Sequence, residues 1–471
     1  MVIRRRAESS FAPLSFSQMR MWSGPPEPEN TMNNCPTILR LTGPLDEVAL
    51  RRAIAEIGRR HEPLRSSIEF RDGTPGQRIA ESVGEQISAV DLSNQQAHGE
   101  HKRALQLAAE EALRPFDLLH GPLFRAMLIQ LGVEDHLLVF SFHHLVWDPW
   151  SMAVFFRDLE ALYSAFRNGQ RSPLPELSIA YGDHAAWQHE QGPLLSQQLA
   201  FWTKELDGAP TSVQLPADHP RPAVKSLLAS FCPIKLGPPL TQALRLVARR
   251  ERATLFTVLL AAFQVMIANY AECTDLLVGV PTAGRTMPEL EQMVGLFVNY
   301  LPIRAQLAGS LTFADILRQV KNTCFRAYAN QELPIEHILA SLVPEPLPDR
   351  APLVQVLFSL VGQHAPVETP KLSGVRMETL PVPGIPIGPP YGVIGGVGPA
   401  QTAEVLPFDL HLGLVENTSS VLGTLAYSTD LFEVGTAERI VMHLLELLAE
   451  IAADPGQQIS TLPVFKLAVR Q

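Results

Sequence analysis

The stretch from Ser141 to Ser151 constrains this chain most. An apolar alternating segment, His136 to Phe142, ends on the pair His143-His144. Asp148-Pro149 follow, and from Trp150 to Phe166 the spacing is helical, with Val154, Phe155, Leu159, Leu162 and Phe166 on one face. A period of two that gives way to a period of 3.6 across Asp-Pro dictates a strand, a corner and a helix. A corner of this kind holds an imidazole rigidly. A single histidine on an apolar face is usually a satisfied core residue beside a helix cap. Two adjacent histidines, with an aspartate four residues after the second, form the pattern of a site.

The rest of the chain bounds what that site belongs to. Of 471 residues, 46% are hydrophobic and 18% charged, which excludes disorder for most of the length and allows two or three domains or one two-lobed unit. The net charge of −10 argues against a nucleic-acid binder. Arg4-Arg5-Arg6 has no apolar run behind it, so residues 1–10 read as a flexible, solvated lead rather than a signal peptide. No apolar run reaches membrane-spanning length: Leu255 to Ile267 is short, and Gln264 and Asn269 interrupt its face. Cys35, Cys232, Cys273 and Cys324 lack metal-ligand spacing and read as thiols of a reducing cytoplasm, with no metal site expected.

Further helices are expected over Leu45 to Arg60, Glu100 to Leu113, Ile179 to His189, Ser196 to Leu206, Leu240 to Glu251, Leu255 to Tyr270, Phe313 to Ala329 and Val434 to Ala452. Strands are expected at Thr37 to Leu41, Leu123 to Leu131, Ala229 to Leu236, Asp275 to Pro281 and Val354 to Leu360, with a hairpin over Phe408 to Tyr427. Leu215 to Pro222 holds three prolines in eight residues and continues neither regular structure, which makes it the expected linker. The division is therefore a lead at 1–10, a lobe at 11–215, a linker at 216–224 and a second lobe at 225–471. Residues 380–400, dense in Gly and Pro, form an extended crossing segment or a mobile loop. The expected class is α/β in two lobes.

His143-His144-Leu145-Val146-Trp147-Asp148 resembles the HHxxxDG core of the condensation domains of nonribosomal peptide synthetases. Leu14-Ser15-Phe16-Ser17-Gln18-Met19-Arg20-Met21-Trp22 resembles that family's LSxxQxRxW, and Arg60-His61-Glu62-Pro63-Leu64-Arg65 its RHExLR. Tyr181-Gly182-Asp183-His184-Ala185-Ala186-Trp187-Gln188 is similar to YxDYAxWQ except at His184. Gly284-Arg285 and Gly295-Leu296-Phe297-Val298-Asn299-Tyr300-Leu301-Pro302 resemble GR and GxFVNTLP, with Tyr300 where Thr is usual. Asn330 to Glu336 and Pro352 to Phe358, including Gln355, are similar to two later motifs, so the resemblance runs from Pro13 to Val464.

The resemblance implies a chloramphenicol-acetyltransferase-like fold, two lobes in a V with a tunnel between them, and a floor loop at about 282–300. It implies that an acyl or aminoacyl thioester, carried on the phosphopantetheine arm of a partner carrier protein, meets a small-molecule or carrier-bound acceptor to give an amide or ester. No cofactor is expected on this chain itself, and no nucleic-acid or membrane partner. The chain begins at Met1 and ends soon after the family's last helix, which suggests a free-standing enzyme. A coenzyme A-dependent acyltransferase of the same fold and an inactive recruitment domain are the alternatives.

By the same resemblance His144 handles the acceptor's proton and His143 holds the turn. Asp148 caps the helix or pairs with an arginine, Arg285 first and Arg65 second. Gly295 and Asn299 support the floor. Trp147, Pro149, Tyr300, Gln355, Ser17 and Gln18 are expected along the tunnel. The family has Gly where this chain has Pro149, which lacks an N–H. Oxyanion donors at this corner are then the N–H groups of Trp150 and Ser151 and the Ser151 hydroxyl.

Overall fold

The computed structural model describes residues 2–22, 31, 33–82, 84, 87–93, 100–308, 310–343, 345, 347–362, 372–380, 404–405 and 407–462. The glycine- and proline-rich segment lies, beyond Leu380, outside them. The fold is mixed α/β and divides into two compact units: residues 1–192, 283–298 and 366–395 in the first, and 193–282, 299–365 and 396–471 in the second.

The first unit is built on a five-stranded sheet in the order Arg376–Thr379, Asn34–Thr42, Asp135–His143, Phe124–Gly132, Ile87–Asp91. Only the last pairing is parallel. The central strand Asp135–His143 is buried on both faces. Leu138, Phe140 and Phe142 share a core with Ile54, Phe155 and Leu159 of the helices Glu47–Arg60 and Pro149–Arg167. Leu137 and Val139 pack with Ala104, Ala108 and Ala112 of Glu100–Ala112. Helices on both faces explain why this strand reads as nearly continuous apolar sequence. Phe11–Pro13, Thr74–Ile79 and Ser66–Arg71 form a small second sheet.

The second unit carries a seven-stranded sheet: Asn299–Gln306, Asp275–Thr282, Val356–Val361, Leu410–Glu416, Val421–Ser428, Leu228–Leu236, Glu404–Val405. The helix Leu255–Tyr270 packs on it through Phe263, whose ring lies 6.0 Å from that of Phe358. Gln264 is fully buried there and donates to the Ile303 carbonyl at 3.0 Å, so the polar interruption of this apolar helix is a core hydrogen bond. Among the described residues no single helix is long and apolar enough to cross a membrane.

Two expectations about segments change. Residues 2–10 are not a loose lead: Ile3 is in a core cluster, and Arg6 pairs with Glu62 at 2.8 Å and Asp183 at 2.9 Å. The units are also not two halves of the sequence. The change of unit falls after Gly192, not at 216–224, because Arg221 of the proline-rich segment binds Asp409 at 2.5 Å and so belongs to the second unit. Residues 283–298 return to the first unit, held by the contacts described next.

Candidate active site

The strand Asp135–His143 ends in a single 3-10 turn, His144–Val146, and Asp148 then caps the helix Pro149–Arg167. Pro149 occupies the first helical turn, where its fixed φ suits a helix and its missing N–H costs no bond. The buried His143 ring accepts at Nδ1 from the Leu145 N–H, 3.2 Å away. Burial pushes its pKa down to about 3, so His143 is a neutral cap of the turn.

His144 is half-buried, and its backbone N–H donates to the Asn33 carbonyl at 2.8 Å. Its Nδ1 lies 2.8 Å from the Trp147 carbonyl. A carbonyl only accepts, so Nδ1 is assigned the proton and Nε2 the free lone pair. Burial is the largest influence on the ring and lowers its pKa, outweighing the Trp147 carbonyl and the Asp148 charge. The neutral form therefore persists to lower pH than for an ordinary histidine and is lost as pH falls through the lowered value. If Nε2 is the working base, the acidic limb of a kcat/KM profile falls below about 6.5; a limb at about 7 or above contradicts this assignment.

Asp148 is completely buried, and Arg285 grips it with both terminal nitrogens, Nη1 to Oδ2 at 2.8 Å and Nη2 to Oδ1 at 3.1 Å. The Ser151 N–H and hydroxyl reach Oδ1 at 2.8 and 2.7 Å, and the Phe297 N–H donates to Oδ2 at 3.1 Å. A forked guanidinium and a helix cap thus share one carboxylate. Asp148 does not touch the His144 ring through any of these bonds. It fixes the start of the helix behind that ring.

The same network clamps residues 293–298. Arg285 donates to the Met293 carbonyl at 3.2 Å. The Val294 N–H donates to His61 Nδ1 at 3.3 Å, and His61 Nε2 faces Asp158 at 3.2 Å. Ser151 Oγ lies 2.9 Å from both the N–H and the carbonyl of Gly295. Tyr181 donates to the Leu296 carbonyl at 2.6 Å. Ser17 and Arg20 donate to the Val298 carbonyl at 2.9 and 2.7 Å. His61, Tyr181 and Arg20 were present in the family-like motifs, but nothing in one sequence indicated that all three converge on one distant segment.

Gly295 is required by contact: a Cβ there would sit 2.3 Å from the ring of Tyr181, itself fully buried. Gly295→Ala is expected to destabilise the first unit by about 1–3 kcal/mol, as overpacking does, and to lower activity with it. An unchanged melting temperature would show that the ring can move aside. Gly284 has φ +65°, and a Cβ there would sit 2.0 Å from the Phe297 carbonyl oxygen, so this position too excludes a side chain.

Several expected site residues are elsewhere. Arg65 donates to the Ala80 carbonyl and makes no contact with Asp148. Trp147 does not narrow a tunnel: it is fully buried and stacks on Phe142 at 3.6 Å, filling the core between strand and helix. Gln18 is a strut, capping its own helix at Ser15 and donating to the Leu145 carbonyl at 3.2 Å, which steadies the turn after His143. Ser17 is spent on Val298. Gln355, also buried, joins the Val213 N–H (2.9 Å) to the Ala351 carbonyl (2.6 Å). Asn299 bonds Gln331, Leu333 and Ile335, and Tyr300 meets Phe408 edge-on at 5.6 Å; both belong to the second unit. Trp150 donates from its indole to the Glu291 carbonyl at 2.9 Å. Because both donors of Ser151 serve Asp148 and Gly295, only the Trp150 N–H remains of the three oxyanion donors expected at this corner.

Comparison with known proteins matches the condensation-domain family model over residues 8–468. The chain is 38% identical over 455 residues to a linear gramicidin synthase of Brevibacillus parabrevis; the match takes in 96% of this chain but only 6% of that relative. Among solved structures, the X-domain in its complex with OxyB from teicoplanin biosynthesis superposes with a TM-score of 0.84 at 27% identity, covering 98% of both chains. SgcC5 protein from Streptomyces globisporus, complexed with 1-(2-naphthyl)-1,2-ethanediol and sucrose, gives a TM-score of 0.72 at 26% identity over 95% of this chain and 100% of that one.

Proposed function

The chain belongs to the condensation-domain family, and on that premise we propose that it joins a carrier-protein-bound acyl or aminoacyl thioester to an amine or alcohol acceptor in natural-product biosynthesis. The observation that carries this reading is the His144 ring: Nδ1 is held by the Trp147 carbonyl and Nε2 is left as a neutral base. As the acceptor nitrogen or oxygen forms its bond to the thioester carbon, Nε2 takes the acceptor's proton. Collapse of the tetrahedral intermediate breaks the C–S bond, and the proton passes from Nε2 to the leaving thiolate. His144 is the catalytic residue. Asp148, Arg285 and His143 are positioning residues. Pro149 supplies no oxyanion donor.

An amine attacks as a neutral nucleophile, so His144 mainly positions it and collects its proton. An alcohol needs the proton to move as it attacks and leans harder on the base. A relative crystallised with an aryl ethanediol, which has two hydroxyls and no amine, supports keeping the alcohol as an acceptor. The phosphopantetheine arm belongs to the partner carrier protein. Offering one acyl group on a carrier protein and on coenzyme A tests the donor class: the carrier form is expected to react faster, and a strong preference for coenzyme A would overturn the proposal.

A second reading, recruitment of another enzyme, is favoured by the likeness to an X-domain solved with OxyB. The base-competent His144 favours catalysis. Acceptor-dependent loss of the acyl group from the carrier separates the two.

A further inference from the structure

Two carboxylates of the family-like motifs, Glu62 and Asp183, take no part in the proton path, yet both meet one side chain. Arg6 donates from Nη2 to Glu62 Oε1 at 2.8 Å and from Nη1 to Asp183 Oδ1 at 2.9 Å. Its Nε reaches the Phe11 carbonyl at 3.1 Å, and Nη2 also reaches that of Ser9 at 2.8 Å. The side chains of Arg6, Glu62 and Asp183 are only 10%, 9% and 4% exposed, so these charges meet away from water. Glu62 Oε2 accepts from the Gly182 N–H at 3.2 Å. A Cβ at Gly182 would sit 2.6 Å from Arg6 Nη1, so bare backbone closes one side of the guanidinium socket.

Anchoring the N-terminal segment does not require this socket. Ile3 packs in a core cluster, Arg5 donates to the carbonyls of Leu177 and Ser178, and Phe11–Pro13 pairs with Thr74–Ile79. Burying a cation with two acids is an expensive way to add one more anchor. What the socket joins is two elements, the 3-10 turn that begins at Glu62 and the helix that begins at Tyr181.

Each element carries a side chain that holds the segment packed on the Asp148 corner. His61, the residue before Glu62, accepts from the Val294 N–H at 3.3 Å, and Tyr181, two residues before Asp183, donates to the Leu296 carbonyl at 2.6 Å. The Gly295 N–H donates to Ser151 Oγ, and the Phe297 N–H to Asp148. The spacing of the two clamps therefore sets how residues 294–297 meet Ser151 and Asp148. A planar guanidinium fork reaches two carboxylates at once and fixes that spacing, whereas an ammonium is a single point of charge.

We propose that Arg6 is a positioning residue for acyl transfer: by spanning Glu62 and Asp183 it holds His61 and Tyr181 at the spacing that seats residues 294–297 against Asp148 and Ser151. Its bearing on turnover rests on the acyl-transfer reading; its link to residues 294–297 does not.

Hydrogen exchange read by mass spectrometry, with steady-state kinetics beside it, tests this on Arg6→Lys, which keeps the charge and loses the fork. Peptides covering 291–298 are expected to exchange about tenfold faster than in the native chain, the order of one net hydrogen bond. Those within the helix Pro149–Arg167 are expected to keep the native rate, because the opening is local. kcat is expected to fall roughly 10–100-fold at unchanged KM for the loaded carrier, as displacement of a supporting segment does. Glu62→Gln leaves Arg6 paired with Asp183 and serves if Arg6→Lys fails to fold; it is expected to speed the same peptides about threefold. Exchange of 291–298 at the native rate, or faster only in step with the rest of the unit, would overturn the positioning role and reduce Arg6 to an anchor. Faster exchange with native kcat would overturn it as well. A native chain that turns over no loaded carrier would sink the acyl-transfer reading, and the exchange measurement would still decide the link to residues 294–297.

Discussion

Replacing Asp148 with alanine is expected to lower the stability of the first unit by about 3–5 kcal/mol, the usual cost of leaving one partner of a buried ion pair uncompensated. Arg285 would keep neutral partners, the carbonyls of Ala283, Met293 and Gly295, but lose the charge that offsets its own. The helix Pro149–Arg167 would lose its cap and Phe297 its acceptor in the same step. Arg285→Ala is expected to cost less, because Asp148 would still accept from the Ser151 N–H, its hydroxyl and the Phe297 N–H. The double variant should be more stable than the two single losses summed, since it buries no lone charge. Denaturant unfolding of the four proteins checks this order. Asp148→Ala with native stability would mean that the pair does not hold the corner.

His144→Ala is expected to act on turnover and spare the fold. A positioned general base contributes roughly 10²–10⁴-fold, or about 3–5 kcal/mol of barrier at about 1.36 kcal/mol per decade. The ring is half-buried and held by the Trp147 carbonyl, so its removal opens less of the core than removal of the buried His143. His143→Ala is expected to cost stability first and turnover as a consequence. The loss in His144→Ala should be larger with an alcohol acceptor than with an amine, because only the alcohol needs its proton removed as it attacks. Turnover within a few-fold of native with both acceptors would remove His144 from the proton path.

What could be read from the chain, and what could not, follows from the range of the forces involved. The corner at His143–Pro149 is local: the period changes within a few residues and the cap is three residues from its N–H. The pairing of Asp148 with Arg285 spans 137 residues and was implied only by family resemblance. Trp147 looked like a site residue because it stands inside the motif. Its place in the core depends on Phe142 and on Phe155, farther along the helix, and no rule of spacing distinguishes that from a lining role. Arg6 read as solvated because charge near a terminus usually is, yet its partners lie 56 and 177 residues away. The prolines of 216–224 signalled irregular backbone correctly, but irregular backbone can lie on a unit as well as between units, and the Arg221–Asp409 pair decides which.

The most direct test of the account is a single turnover read by intact mass. A carrier protein loaded with an acyl group through phosphopantetheine is mixed with excess chain and an amine acceptor. Native protein is expected to return the carrier to its free-thiol mass with one equivalent of amide formed, and His144→Ala to leave the carrier loaded over the same interval. A carrier that stays loaded with native protein, or one that is unloaded equally by His144→Ala, would contradict the assignment of His144 Nε2 as the working base.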